Sequence, residues 1–500
     1  MAPHDLSYSR RMLVLAICCT SLFIVGLDTT IVNVALPSIG RELHAGVSGL
    51  QWVIDTYVLV LGSLFMLSGS TADRVGRRRT FQTGLAVFSV GSLLCSLAPS
   101  LGWLIAFRML QAVGGSMLNP VAMSIITNVF IEPRERARAI GVWGGVFGLS
   151  IALGPIVGGV LVQEVGWRSI FWVNVPVGIA AIVLTALYVP ESRAPRARRP
   201  DPVGQVLVIV LLAGLVYALI EGPASGWSSG EIIGCFAAAA AALCALTWYE
   251  PRRAEPLIDV RFFRSAPFSG AVAIAICAFA TLGGFLLVNT LYLQNVRGYT
   301  PLTAGLYVLP MAAMTAIFAP LSGRIVGSMG TRLPLIIAGA GIAVAGFLLT
   351  HLENGSSAGL LGPAYLIFGI GFGMVNAPIT NSTVSGMPRA QAGVAAGVAS
   401  TSRQIGSSLG VAVIGSVTVS ALHGPFRQDF AAASHIGWWI MTGCGIAVIG
   451  LGLLISGQWA HRTVRRTAAL LPPESSEPDE SGRSRPAGDA LGVSAAPAPE

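Results

Sequence analysis

Carboxylates and arginines inside long apolar segments are the residues of this chain that could carry chemistry. Asp28, Asp55 and Arg108 each lie in such a segment. A carboxylate at membrane depth costs roughly 2.5–3.5 kcal/mol on insertion scales, so it normally faces a cavity or a partner. A buried guanidinium stays protonated and needs a carboxylate or dipoles beside it. These side chains suit reversible proton binding coupled to the movement of another solute.

Asp28 is the leading candidate for a proton site, because loss of hydration favours a neutral carboxyl group. The alternative is a polar residue that stabilises helix packing by bonding Asn33 or Thr29. Arg108 is the expected counter-charge of Asp28, with a static scaffold pair as the alternative. Asp55, near the outer end of its segment, is a candidate second proton site or a residue that attracts cationic substrate. A solvated position at the mouth of a pathway is an equal alternative for Asp55.

The elements that position these residues are membrane-spanning helices. The chain has 53% hydrophobic and 11% charged residues, against roughly 25% charged in an average soluble domain. A helix needs roughly 20 residues to cross the hydrocarbon core, and the apolar blocks reach that length repeatedly. We predict an all-α polytopic membrane protein with fourteen spans, at 12–34, 49–70, 81–100, 102–125, 139–162, 169–189, 203–221, 231–249, 268–292, 302–323, 333–351, 358–380, 393–420 and 435–457.

The arginines are distributed asymmetrically around these spans. All 31 basic residues are arginine, and with an N-terminus inside the cell nearly all of those in loops and tails fall on the cytoplasmic side. The loops on the other side hold only Arg41, Arg168, Arg297 and Arg427. Such a bias is what the positive-inside rule describes. We therefore expect a multi-pass protein of a bacterial cell membrane with both termini in the cytoplasm, and the placement of the positive charge argues against a nucleic-acid partner.

The composition also argues against several enzyme classes. Without lysine the chain has neither a Walker A phosphate loop nor a Schiff-base lysine. The seven cysteines fall inside apolar blocks without metal-ligand spacing, as small buried side chains do. No cofactor, metal site or enzymatic activity is predicted.

Two sequence echoes indicate related halves. Leu67-Ser68-Gly69 is followed by Gly76 and Arg78, and Leu321-Ser322-Gly323 is followed at the same offsets by Gly330 and Arg332. Gly141 and Gly154 are thirteen residues apart, as are Gly397 and Gly410. Two related halves are the architecture in which transporters rock around a site at the membrane midplane.

Four motifs resemble the major facilitator superfamily, and specifically its fourteen-span drug:proton antiporters of the EmrB/QacA type. They are the first-span run Leu27–Pro37, the loop from Gly69 to Arg78, the pair Arg108 and Gln111, and a glycine–proline run in the fifth span. Ala112 departs from the pattern, since the family usually has glycine there. The fifth-span motif, which the resemblance associates with antiport, comprises Gly148, Gly154, Pro155, Gly158 and Gly159.

The resemblance implies two six-helix halves, 12–189 and 268–457, joined by a linker, 190–267, that contains spans seven and eight. A cytoplasmic N-terminus, 1–11, and a disordered cytoplasmic tail, 458–500, would flank them. The loop after span two is expected to act as a conformational latch, with a positive-inside anchor as the alternative; its residues are Gly69, Asp73, Arg74, Gly76 and Arg78. Polar residues expected to line the substrate cavity are Asn33, Gln111, Gln294, Asn376 and Asn381.

The expected function is export of amphipathic drugs or antibiotics by proton antiport, with Asp28 as the proton site. Protons, a small amphipathic substrate and the lipid bilayer are the expected partners, and the fold needs no second subunit, so a monomer is expected. A single-substrate metabolite exporter and a facilitator-type importer are the alternatives. A sensor or scaffold that transports nothing is a weaker alternative, because the C-terminal tail is too short for a signalling domain.

Overall fold

Helices make up every regular element in the part of the chain that the computed structural model describes, which is residues 7–193, 201–253, 256–257, 259–384 and 392–468. The α-helices of these residues are α1 (Tyr8–Glu42), α2 (Val47–Val75), α3 (Arg77–Ser96), α4 (Leu101–Ser116), α5 (Asn119–Val129), α6 (Pro133–Glu164), α7 (Ser169–Trp172), α8 (Asn174–Tyr188), α9 (Pro202–Ser225), α10 (Gly230–Tyr249), α11 (Ala266–Leu291), α12 (Pro301–Met329), α13 (Arg332–Leu349), α14 (Ala358–Val384), α15 (Ala392–Ser420), α16 (Phe426–Ile455) and α17 (Gln458–Ala468). A 3₁₀ turn covers Val260–Arg264, and a π turn covers Tyr292–Val296.

Eleven helical segments among the described residues are long and apolar enough to cross a membrane. Fourteen were expected from the sequence. The three remaining long helices in the bundle are α3, α6 and α15, and each is more polar. The first turn of α3 is formed by Arg77, Arg78 and Arg79. Helix α6 begins with the charged residues Arg134, Glu135, Arg136 and Arg138 before its apolar part, and α15 carries Arg403 among several serines and threonines.

Ion pairs and hydrogen bonds tie the helix ends together at opposite faces of the bundle. Arg11 of α1 pairs with Glu135 of α6 at 2.5 Å, on the face that also carries the arginines between α2 and α3 and between α12 and α13. We call this face the arginine-rich end. At the opposite face, the arginine-poor end, Trp167 Nε1 donates to Glu42 at 2.6 Å, and Arg168 pairs with the same carboxylate.

The two sequence echoes correspond to equivalent packing contacts. Ser68 of α2 lies 3.0 Å from the hydroxyl of Ser116 in α4, and Ser322 of α12 donates to the carbonyl of Met374 in α14 at 2.7 Å. Both serines are buried, and both helices end at a glycine with positive φ, Gly76 or Gly330. Each half thus anchors its second helix to its fourth in the same way.

The second echo, in which Gly154 corresponds to Gly410, marks two close contacts between helices. A side chain at Gly154 would overlap Thr30 of α1, and one at Gly410 would overlap the carbonyl oxygen of Ala280 in α11. Helix α6 therefore packs on α1 as closely as α15 packs on α11. The first half comprises α1 to α8, and the second comprises α11 to α16.

Helices α9 and α10 stand beside the seam between the halves. Gln205 of α9 donates to the carbonyl of Ser63 in α2 at 2.7 Å, and Ser416 of α15 donates to the carbonyl of Leu219 in α9. Trp52 of α2 donates to Glu221 of α9 at 2.6 Å. Helix α9 of the linker thereby contacts one helix from each half.

The start of the C-terminal tail is helical rather than disordered. Residues 458–468, assigned above to a disordered tail, form helix α17, which buries Ala460 and Thr467 against the bundle. Residues 469–500 lie outside the described residues. At the other end α1 begins at Tyr8, with Ser7 as its cap, and continues through Pro37 to Glu42.

Candidate functional site

A buried polar cluster is centred on Asp28 in the first half. Arg108 Nη1 lies 2.6 Å from Asp28 Oδ2, and the other carboxylate oxygen accepts from Gln111 Nε2 at 2.9 Å and from Asn174 Nδ2 at 3.1 Å. Ser92 accepts from both amides, at 3.2 and 3.1 Å. None of these five side chains is more than 1% exposed. Three donors converge on one carboxylate, an arrangement that fits its ionised, acceptor-only form.

Contacts from α1, α2 and its own helix α4 hold Arg108 in this position. Its Nε donates to the carbonyl of Val53 in α2 at 3.3 Å, and its Nη1 also donates to Gln111 at 2.8 Å. The guanidinium carbon lies 4.0 Å from the centre of the Tyr57 ring, within range of a cation–π interaction. Because a buried ion pair gains little over apolar packing but is costly to break, the cluster holds its geometry as long as both charges remain.

The cluster agrees with the sequence analysis in part. Asp28 and Arg108 were expected to be partners, and the structure brings them together. Asn33 does not bond Asp28; it donates to the carbonyls of Thr29 and Thr30 in its own helix, at 3.2 and 3.5 Å. Gln111 was expected to line the substrate cavity, but it is buried and donates a hydrogen bond to Asp28. Gln111 follows Arg108 by three positions in α4, so both side chains lie on the same face of that helix.

Two members of the cluster were missed from the sequence. Asn174 follows a short helical turn and begins α8, while Ser92 lies in α3 and donates to the carbonyl of Phe171 at 2.8 Å. An asparagine at the start of an apolar segment was the available signal for Asn174. Ser92 offered none, since serines also occur in most of the other predicted spans.

Asp55 lies in the seam between α2 and α15. Its carboxylate is fully buried, and the hydroxyl of Ser408 is the polar group that faces it. No ion pair among the described residues involves Asp55. The alternative of a solvated residue at a mouth is therefore wrong, because α15 covers the whole side chain.

Hydrogen bonds close this seam on both sides of Asp55. Gln51, one turn before it, donates to the carbonyl of Val411 at 2.7 Å. Thr401 of α15 donates to the carbonyl of Gly62, two turns after it, at 3.3 Å. Asp55 therefore lies within a contact between the halves that must change if the halves rock.

The glycine–proline run of α6 forms the second seam. Gly158 packs on Ile31 of α1, where a Cβ would lie 2.7 Å from the side chain. On an adjoining face, about 100° around the helix, Gly159 packs on Leu302 of α12, where a Cβ would lie 2.7 Å from the Cα atom. A side chain at Gly305 of α12 would overlap the carbonyl of Pro155. The run thus lets α6 contact both halves near the arginine-poor end; Gly148 lies in the same helix.

The facing surfaces of α6 and α12 separate toward the arginine-rich end. Gly323 follows Gly305 by eighteen residues, five full turns of a helix with 3.6 residues per turn, so it lies on the same face. Among the described residues, no atom lies within 4 Å of a Cβ built at Gly323, and the same holds at Gly141, about four turns before Pro155. The described parts of α6 and α12 are therefore in close contact at the arginine-poor end and leave space beside these two glycines at the other end.

Two carboxylates hold the loop between α2 and α3, and one of them, Glu191, lies outside the loop. Asp73, a member of the expected latch, pairs with Arg77 at 3.0 Å. Glu191, after α8, instead accepts from the backbone N–H of Arg78 at 3.1 Å. Gly76 has φ +124°, and a Cβ there would lie 2.6 Å from Glu191, so the turn requires glycine. Of the other loop residues, Gly69 faces Pro120 in α5, and Arg74 is exposed.

The remaining polar residues expected in a cavity occupy different environments. Gln294 donates across the halves to the carbonyl of Val34 at 2.8 Å, so it helps to close the arginine-poor end. Asn376 is half-buried and Asn381 is exposed, both on α14. These two stay available to a solute. Across the described ranges no three His, Cys, Asp or Glu side chains are grouped as a metal site requires.

A model of the family described as Major Facilitator Superfamily matches residues 18–411. The chain belongs to the Major Facilitator Superfamily. Solved structures with this fold include a bacterial homologue of the human lysosomal transporter Spinster in an inward-facing and occupied conformation. It has a TM-score of 0.65 and 17% identity, and the match covers 92% of this chain and 99% of that one. The peptide transporter POT in complex with sulfate has a TM-score of 0.63 and 14% identity, over 92% and 96%.

Relatives in this superfamily carry names that refer to resistance and export. The multidrug resistance protein Stp of Mycobacterium tuberculosis is 41% identical, over 80% of this chain and 74% of that protein. The tetracenomycin C resistance and export protein of Streptomyces glaucescens is 38% identical, over 83% and 77%. The methylenomycin A resistance protein of Streptomyces coelicolor is 34% identical, over 89% and 91%. The chain is thus a multi-pass membrane protein of a transporter superfamily with drug-resistance relatives.

Proposed function

We propose that this chain exports amphipathic drugs or antibiotics from the cell in exchange for protons. The observation that carries the proposal is the buried Asp28–Arg108 pair, an ionisable carboxylate with a fixed counter-charge inside a membrane bundle. Intramembrane ionisable residues mark ion pathways and proton relays. The names of the relatives, which refer to multidrug resistance and to two antibiotics, support drugs or antibiotics as the substrate class.

Asp28 and Asp55 have complementary roles in this proposal. Asp28 is ionised in the conformation described, since three donors satisfy its carboxylate. Asp55 carries a proton, because a charged carboxylate facing one hydroxyl in an apolar seam is costly. A proton that reaches Asp28 from outside neutralises it and weakens its attraction to Arg108. The helices α1 and α4 are then free to shift, which couples proton entry to the opening of the arginine-poor end.

The arginine-rich end is cytoplasmic in this proposal, with both chain termini on that side. The opening between α6 and α12 then faces the cytoplasm, and substrate enters there, past Asn376 and Asn381. The closed run Gly154–Gly159 seals the outer side. The loop residues Gly69, Asp73, Arg74, Gly76 and Arg78 act as a latch that holds α2 against α3 until the halves rock. The contacts of Asp73 with Arg77 and of Glu191 with the backbone of Arg78 are the closed form of that latch.

We also assign the chain to the fourteen-span EmrB/QacA type. Helices α3, α6 and α15 cross the membrane in this assignment, because each packs along a neighbour that is itself apolar enough to span. Residues 12–189 and 268–457 are then the two halves, and 190–267 the linker with α9 and α10. A monomer in the lipid bilayer suffices, since the seams close within one chain.

The driving force is adequate for export against a gradient. One charge that crosses 100 mV contributes about 2.3 kcal/mol, and one pH unit contributes about 1.4 kcal/mol. Entry of one proton per cycle thus supports an outward substrate gradient of several hundredfold. A single-substrate metabolite exporter would use the same mechanism. A facilitator-type importer would need neither the buried pair nor the antiporter run of α6.

Inverted membrane vesicles test the proposal. Vesicles with an acidic interior should accumulate fluorescent amphiphiles, and an uncoupler should abolish the accumulation. Asp28→Asn should abolish it as well, while Arg41→Gln, an exposed arginine in the same helix, should not. Accumulation in the Asp28→Asn variant equal to that of the unmodified chain would remove Asp28 from the proton pathway. Uptake that does not depend on the proton gradient would favour the facilitator-type importer.

A further inference from the structure

A groove at the arginine-rich end lies outside both seams. It has a volume of about 340 Å³ and lies between the 3₁₀ turn Val260–Arg264, the start of α11, the end of α16 and helix α17. One wall is apolar and is formed by Gly270, Ala273, Leu451 and Leu454. The polar groups at its rim are those of Arg264, Ser269, Trp459 and Thr463. An apolar wall with a basic rim is complementary to an amphiphile with a negative headgroup.

Arg264 supplies the charge of this rim. Its side chain is exposed, and none of the ion pairs formed among the described residues involves it. Arg261, one turn earlier, differs because it pairs with Asp259 at 2.8 Å. The groove therefore offers a guanidinium that is available to a phosphate group.

Helix α17 adds a membrane-surface element to the groove. It buries Ala460 and Thr467 against the bundle, and the hydroxyl of Thr463 accepts from the backbone N–H of Ala266 at 2.9 Å. Trp459, Arg462 and Arg466 are exposed. With about 100° per residue they share one face of the helix. A tryptophan beside arginines on one face is typical of a helix at the level of lipid headgroups.

We infer that this groove binds an anionic phospholipid. Arg264 contacts the headgroup phosphate, with Trp459 and Arg462 at the same level. The acyl chains follow the exposed side of α16 at Leu451 and Leu454. Basic pockets between membrane helices on the cytoplasmic side bind anionic headgroups by this combination of charge and apolar surface. The bound lipid joins α17 to α11 and α16, and thereby steadies the second half.

Native mass spectrometry of the full chain tests the site with two probes, phosphatidylglycerol and phosphatidylcholine of equal chain length. We expect phosphatidylglycerol to bind more tightly and Arg264→Gln to weaken it about fivefold, the effect of one arginine near an anionic headgroup. Arg261→Gln is the matched control and should leave binding unchanged. Ala273→Phe, which fills the apolar wall but keeps every charge, should also weaken binding.

Other results would overturn the assignment. Equal binding of the two lipids, or equal effects of Arg264→Gln and Arg261→Gln, would show that Arg264 holds no headgroup. Glycerol phosphate that competes as well as the diacyl lipid would indicate a site for a free phosphate. The acidic C-terminal segment after residue 468 carries Glu474, Glu477, Asp479 and Glu480. If phosphatidylglycerol bound only after this segment had been removed, the segment rather than a lipid would be the occupant of the groove in the full chain.

Discussion

Arg108 Nη1 lies 2.6 Å from Oδ2 of Asp28, eighty positions away in sequence, and both side chains are almost wholly excluded from solvent. The contact joins α1 to α4 in the middle of the first half. Because Gln111 and Asn174 bond the other carboxylate oxygen, Asp28 cannot move toward a proton donor without breaking bonds to three different side chains. Proton binding at Asp28 is therefore a structural event as well as a change of charge.

The first prediction concerns stability. Arg108→Gln leaves the Asp28 carboxylate buried without its cation, so we expect a loss of about 3–5 kcal/mol in the free energy of unfolding. The double variant Asp28→Asn/Arg108→Gln should cost clearly less than the sum of the two single changes, since no charge remains. Unfolding in mixed micelles measures all three. Additive costs would mean that the two side chains do not depend on each other.

The second prediction separates the two carboxylates. Asp55→Asn keeps the shape of a protonated carboxyl group, so the α2–α15 seam should stay closed and substrate exchange between equal concentrations should persist. Accumulation driven by a proton gradient should fall at least tenfold. Thr401→Val is the control, because it removes a hydrogen bond of the same seam but no titratable group. Normal proton-driven accumulation in Asp55→Asn would exclude Asp55 from coupling.

The third prediction tests the close packing of α6 on α1. Gly154→Ala places a Cβ against the Thr30 hydroxyl and should cost about 1–3 kcal/mol, as overpacked cores do. Thr30→Ala in the same chain should recover part of that loss. Gly145→Ala is the matched control in the same helix, since no atom lies within 4 Å of its Cβ position. Its stability should be unchanged or higher, because alanine favours the helix. An equal loss of stability in Gly154→Ala and Gly145→Ala would mean that the glycines provide helix flexibility rather than close contact with α1.

The fourth prediction concerns orientation. In a chain whose seven native cysteines are replaced, Arg79→Cys should react with a membrane-impermeant maleimide in inverted vesicles and not in intact cells. Ser228→Cys, in the exposed turn between α9 and α10, should show the reverse. Both positions are accessible, with a 67% exposed side chain at Arg79. The opposite pattern would place the arginine-rich end outside the cell and reverse the proposed direction of transport.

Local sequence was sufficient for the membrane class, the positions of most helices and the internal repeat. Apolar blocks of about 20 residues determine spanning helices because the bilayer leaves backbone groups no other partners. The repeat was visible because each half needs a small residue where its helices approach most closely, as at Gly154 and Gly410. The pairing of Asp28 with Arg108 followed from the same reasoning, since two opposite charges at membrane depth need each other.

Tertiary structure alone decided which polar residues meet. Asn174 reaches Asp28 across 146 positions, and Gln294 reaches Val34 across 260. Neither contact leaves a local pattern, because it depends on how whole helices pack and rotate. The same reason explains why Gln111 belongs to the Asp28 cluster and why Asp55 is buried under α15. A sequence shows that a polar side chain in a membrane needs a partner, and only the packing of the helices determines which one it finds.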